Sequence, residues 1–306
     1  MDRPSLDRRT LDRPGLDRRT FLGTLTATAL FAPRLSWAAG ANRIEKVGIQ
    51  LYTVRDDMKR DFDGTIAKVA TIGYREVEFA GYFDHTPQQV RAVLDRNKLT
   101  APSVHVDYKS LGDKFPQVIA DSKVIGHQYI VNPWIDDDIR KDPDGWKRAA
   151  EVFNKCGEAC KKAGLQFAYH NHHFEFIQVH GKYAYDIILE ETDPKLVQME
   201  MDLCWMTVAH QDPMKYFARY PGRFPMVHVK DIKTVPPPDK PGEPADFEKV
   251  FPQMTPVGSG SIDWKKIFEH SGEAGIKHYF VEQDYPQGDH FENIKASYQY
   301  LEKLRW

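Results

Sequence analysis

The sequence predicts a parallel α/β barrel, (β/α)8, folded as one domain over residues 39–306. Three observations predict it. Eight short apolar runs recur, at residues 47–53, 74–79, 101–106, 127–131, 165–171, 196–202, 224–230 and 278–282. Most are followed by an amphipathic stretch, and the first four start 27, 27 and 26 residues apart, the length of one strand-plus-helix unit. The first run then continues into Tyr52-Thr53-Val54-Arg55 without the glycine-rich phosphate turn that an open doubly wound sheet would place there.

The segments between the runs carry helix punctuation. Thr86-Pro87 offers an N-cap followed by a proline at the first helical position. Asp144 precedes a long amphipathic stretch over 146–163, which Gly164 ends as a C-terminal glycine does. Residues 262–274 and 291–304 supply the last helices. Cys156 and Cys160 stack on one helix face and, with Cys204, read as small packing residues; three cysteines make no disulfide framework. Residues 235–244 hold five prolines, too many for a helix or a central strand. Placed between the seventh and eighth strands, they form either a lid over the site or a plain surface excursion.

Composition bounds the function. A hydrophobic content of 41% with 12% aromatics suffices for a globular core. The net charge of -2, with no basic patch, gives no support for nucleic-acid binding. Residues 1–38 are of another kind: a near-duplicated decapeptide, then Arg18-Arg19-Thr20-Phe21-Leu22, a short apolar stretch, and small residues at Ser36 and Ala38. This pattern predicts a cleaved twin-arginine signal read by the twin-arginine export machinery, and so a periplasmic or secreted protein. The apolar stretch is about a dozen residues and broken by Pro33. Spanning a bilayer takes roughly 20, so no stable membrane anchor is expected.

Four strings at predicted strand ends carry metal-binding chemistry: Tyr169-His170-Asn171-His172, Glu200-Met201-Asp202, His228-Val229-Lys230-Asp231 and Val281-Glu282-Gln283-Asp284. Alternate residues of a strand share a face, so each string directs imidazole or carboxylate one way. Asp202, His228 and Glu282 each end an apolar run, where an unpaired charge would be costly to bury. His105 ends the third strand, as substrate contact, base or structural residue. Glu78 stands similarly on the second. Glu200 shares the face of Asp202 and is alternatively a partner for Lys230.

Here the residues resemble a known family. The strings GIQLYTVRD (48–56), GYREVEFAG (73–81), YHNHHFEF (169–176), EMDLCW (200–205), HVKD (228–231), VGSGSIDW (257–264) and VEQD (281–284) are similar to those of the sugar phosphate isomerase/epimerase family of xylose-isomerase-like TIM barrels. That group includes keto-sugar epimerases, inosose dehydratases and endonuclease IV. The resemblance implies a divalent metal (Mn2+, Mg2+ or Co2+) held by residues of the last four strands, here His170, Asp202, His228 and Glu282. On the fifth strand many members carry glutamate where this chain has His170, and His172 or Glu175 is the alternative ligand. Trp205 stands where DNA-repair members have a metal-binding histidine, and its flat face suits a sugar ring.

The resemblance implies proton abstraction beside a carbonyl, through an enediolate that the metal stabilises. His172, Glu175, His105 and Lys230 are the candidate acid–base groups, with Trp205, Glu78 and Glu200 as candidate substrate contacts. The expected activity is a sugar isomerase or epimerase acting on an unphosphorylated keto sugar or oxidised glycoside, because sugar phosphates are scarce outside the cytoplasm. The alternatives are a keto-glycoside lyase or dehydratase at the same metal site, and a non-catalytic periplasmic sugar-binding barrel. The expected partner is a small sugar; a homo-oligomer stays open.

Overall fold

The computed structural model describes residues 42–142, 144–238 and 240–306. The signal read in residues 1–38 lies outside them. Eight parallel strands close a barrel: β1 (Val47–Gln50), β2 (Glu76–Phe79), β3 (Thr100–His105), β4 (Tyr129–Asn132), β5 (Gln166–His170), β6 (Val197–Asp202), β7 (Met226–Val229) and β8 (His278–Val281). Each pairs with its sequence neighbours, and β1 pairs with β8 to complete the ring. All eight coincide with apolar runs. The first run is shorter than expected, because residues Leu51–Val54 turn into a 3-10 helix in which the Gln50 side chain accepts the Tyr52 N–H.

The outer helices follow the punctuation. In α1 (Pro87–Arg96), Thr86 and Gln89 form a reciprocal capping box, with Pro87 in the first turn. In α2 (Gly145–Ala163), the buried face includes Trp146, Phe153, Cys156 and Cys160, and Gly164 terminates the helix at φ 80°. All three cysteines are free and buried. The stretch expected as one helix over 262–274 is two, α3 (Trp264–Phe268) and α4 (Ser271–Ala274), broken at Glu269-His270. The last helix, α5, spans His290–Lys303. No helix among the described residues is long and apolar enough to cross a membrane.

Two layers inside the barrel matter for the site. Tyr129, Val131, Ala168, Met226 and Phe280 form an apolar plug. Gly48 makes room for it, since a Cβ there would lie 2.6 Å from the Phe280 ring. Above the plug, toward the strand carboxyl ends, the inward positions become His and carboxylate. At the opposite end, backbone bonds join Asn42 and Trp306 in both directions, at 2.8 and 3.1 Å.

Candidate metal and catalytic site

Strand alternation and barrel register bring the sequence-selected residues together. On β6, Glu200 and Asp202 both point inward. Asp202 pairs in register with His228 on β7, and Glu200 with His170 on β5. His228 stands at the centre. Its Nδ1 lies 2.8 Å from Glu282 Oε2 and 3.8 Å from Asp202 Oδ2. Its Nε2 lies 3.0 Å from Glu78 Oε2 and 3.3 Å from Glu200 Oε2. Asp202 serves twice: its Oδ1 accepts the Trp205 N–H and caps the following short helix, while Oδ2 faces the cluster.

Two groups of ligand atoms lie within 4.8 Å of one another: Asp202, His228 and Glu282, and His105, His170, Glu200 and His228. His170 adjoins both, with Nδ1 3.5 Å from Glu200 Oε2 and Nε2 4.0 Å from Asp202 Oδ2. Its Nδ1 is buried without a hydrogen-bond partner, as is Glu200 Oε1.

Electrostatics reinforce the grouping. Burial alone would lower the pKa of His228, but Glu200, Glu282 and Glu78 raise it well above the usual histidine value. Burial opposes protonation of His105 too, yet Glu78 and Glu200 hold it at about 9. Burial, with the positive charge of His228 near His170 and of Lys230 near His172, keeps both of those histidines well below the usual value. Burial raises Glu200 to about 7, beside the charge of Glu78.

A cavity of about 800 Å³ opens over this cluster at the carboxyl ends of the strands. His105, His170, His172, Glu282 and Asp284 reach its wall. Direct substrate contact, expected of Trp205, Glu78 and Glu200, does not fit their positions: all three are fully buried and none lines the cavity. Glu78 instead accepts from Ser103 Oγ at 2.9 Å and pairs with His105 and His228. Trp205 packs against His173 and Phe247. Glu175, a candidate acid–base group, is also sealed: it accepts from Tyr169 Oη at 2.6 Å and from the His172 N–H at 2.9 Å, which fixes the turn carrying His172. Lys230, another such candidate, lies off the cavity, with Nζ 2.8 Å from Asp202 Oδ2 and 2.7 Å from both Glu282 Oε2 and Asp284 Oδ2. No ion pair joins it to Glu200, the alternative read from sequence.

Sequence reading assigns no separate role to Asp284, although the string Val281-Glu282-Gln283-Asp284 contains it, and none to the aromatic wall. The proline-rich segment leads into a short helix, Phe247–Val250, and Phe247 and Phe251 both line the cavity. Trp134 after β4 and Tyr285 after β8 join them.

A sequence profile of the xylose isomerase-like TIM barrel matches residues 66–304. The chain belongs to that family. It is similar to the inosose dehydratase of Lacticaseibacillus casei, 23% identical over 267 residues that cover 79% of this chain and 89% of the relative. A solved sugar phosphate isomerase/epimerase from Parabacteroides distasonis superposes with a TM-score of 0.68 at 26% identity, covering 87% of this chain and 95% of that one. The IOLI protein, solved with a bound zinc atom, has a TM-score of 0.65 at 14% identity over 83% of this chain and 95% of its own, a likeness of fold alone.

The xylose isomerase-like barrel implies a divalent cation, and the residues present fit one. Five carboxylates (Glu78, Glu200, Asp202, Glu282 and Asp284) converge there, against one ammonium among the described residues, Lys230, and the imidazoles of His105 and His228. So many buried negative charges call for further cations. The Asp202–His228–Glu282 group, with His170 Nε2 4.0 Å from Asp202 Oδ2 beside it, supplies mixed oxygen and nitrogen donors, a set that suits a divalent metal ion. With His228 Nδ1 turned to that group, the Nε2–H donates to Glu78, the carboxylate–histidine arrangement that fixes ligand orientation. Glu78→Gln is therefore expected to weaken Mn2+ binding about tenfold to a hundredfold in calorimetric titration. Unchanged affinity would remove Glu78 from this role.

Proposed function

We propose that the chain is a divalent-metal-dependent carbon–oxygen lyase of the dehydratase type, acting on an unphosphorylated keto sugar or oxidised glycoside. The observation that carries this reading is that His105 and His172 line one cavity together with His170 and Glu282, while Asp202 and His228 lie buried beside them. Similarity to the L. casei inosose dehydratase supports the elimination outcome. Asp202, His228 and Glu282, with His170, would hold Mn2+, Mg2+ or Co2+. When bound, the ion would stabilise negative charge developing on the substrate oxygen as the adjacent C–H ionises.

The chain's own residues do the rest. His172 is neutral and lines the cavity, where its imidazole takes the proton from carbon. The electron pair released forms the C=C bond and expels the oxygen substituent one carbon away. His105, which holds a proton at neutral pH, gives it to the departing oxygen. The products are an unsaturated ketone and water or an alcohol. Return of the proton to carbon instead would make the enzyme an isomerase or epimerase, the reading that similarity to the P. distasonis protein supports.

Incubating metal-loaded protein in deuterated water with 3-keto-glycosides and free ketoses tests both. Elimination is expected, and His172→Ala is expected to slow it by about 10²–10⁴-fold. Deuterium uptake without elimination would favour the isomerase. Absence of both across the panel would sink the proposal. Export through the twin-arginine signal in residues 1–38 belongs to the same proposal; recovery of the full-length protein solely in the cytoplasmic fraction of an expressing bacterium would refute it.

A further inference from the structure

The cavity is larger than a single sugar ring needs. Its volume of about 800 Å³ lies high in the range of about 300–1,000 Å³ typical of pockets for drug-sized ligands. One side of it is a row of four rings. Trp134 and Phe247 have centroids 6.1 Å apart at 30°, Phe247 and Phe251 5.3 Å apart at 29°, and Phe251 and Tyr285 5.7 Å apart at 18°. The row begins beside the reacting groups, where Trp134 meets the His172 ring edge-on at 5.2 Å. It ends at the mouth, where Tyr285 is 54% exposed.

Three separate segments build this row: the loops after β4 and β8, and the excursion between β7 and β8. Phe247 and Phe251 are partly buried against the core, and both also reach the cavity wall. A row that only packed the core would not end in an open tyrosine. Tyr52, 42% exposed, stands on the same cavity and carries Arg55 over its ring at 4.1 Å.

We propose that this row is a binding subsite for a flat apolar aglycone, so that the substrate is an aryl glycoside oxidised on its sugar ring. The sugar sits on the His105–His172–Glu282 floor and the aglycone stacks along Phe247, Phe251 and Tyr285. Offset stacking on aromatic faces is the recognition such a surface offers. The inference deepens the proposed function and rests on its reading of the floor as the sugar site.

Calorimetric binding of unoxidised 4-nitrophenyl and methyl glucosides, each as both anomers, tests the subsite without turnover. Wild-type protein is expected to prefer an aryl glucoside over its methyl counterpart by roughly fivefold to tenfold. Tyr285→Ala, at an exposed position, and Phe251→Leu, which keeps apolar volume but loses the flat face, are each expected to reduce that preference to about twofold or less. Equal affinity for the two, undetectable aryl binding, or a preference that survives both variants would overturn the proposal. Tighter binding of cellobiose than of the aryl glucosides would do so as well, by assigning the row to a second sugar. An intact aryl preference in a protein that performs no elimination would refute the proposed reaction and leave the subsite standing.

Discussion

Lys230→Met is expected to destabilise the fold by about 3–5 kcal/mol, the cost of leaving a buried charge without its partner. One ammonium here serves three carboxylates, Asp202, Glu282 and Asp284, each within 2.8 Å. Burial would lower the lysine's pKa, but Asp202, Asp284 and Glu282 raise it well above the usual value, so the side chain is a permanent cation. Methionine fills similar volume and removes the charge, so packing changes little. Urea melts in EDTA measure the loss. Adding Mn2+ is expected to recover more stability in the variant than in wild type, because a bound cation replaces part of the missing charge and binding stabilises the native state. A loss below about 1 kcal/mol in EDTA would mean that the carboxylates are not charged and dry together.

The second large effect is expected at Asp231. This carboxylate is fully buried, pairs with no cation among the described residues, and accepts five N–H bonds: from the backbone of Ile232, Gly258, Gly260 and Ile262, at 2.9, 2.9, 3.1 and 3.3 Å, and from Trp264 Nε1 at 3.1 Å. It ties residues 258–264 to the end of β7. Gly260 approaches so closely that a Cβ would collide with the carboxylate. Asp231→Asn keeps the shape but turns an amide group toward donors. Each orphaned donor costs about 1–3 kcal/mol, so a loss of about 3 kcal/mol is expected, and Asp231→Ala should lose more. Hydrogen exchange at the Gly258, Gly260 and Ile262 amides should accelerate before that of the barrel strands. Unchanged protection there would show that the loop is held by other contacts.

The barrel was legible because period-two apolar runs and helix caps are local signals. Thr86-Pro87, Gly164 and all eight runs needed no tertiary information. The 3-10 turn after β1 was not legible, since Leu51, Thr53 and Val54 are as buried as strand residues and only the Gln50 side chain redirects the chain. Strand alternation also grouped the charged residues correctly in space. It could not say which of them faces the cavity and which faces another side chain. Glu78 and Glu175 read as chemically active carboxylates, but both are consumed by buried hydrogen bonds whose partners lie up to 150 residues away. Trp134, Phe247, Phe251 and Tyr285 escaped because no local pattern marks rings that meet across three loops.

The paired backbones of Asn42 and Trp306 sit at the far pole of the barrel from the mouth. A biotin or surface tether added after residue 306 would thus leave the opening turned toward bulk liquid, and immobilised protein should take up ligands as readily as free protein.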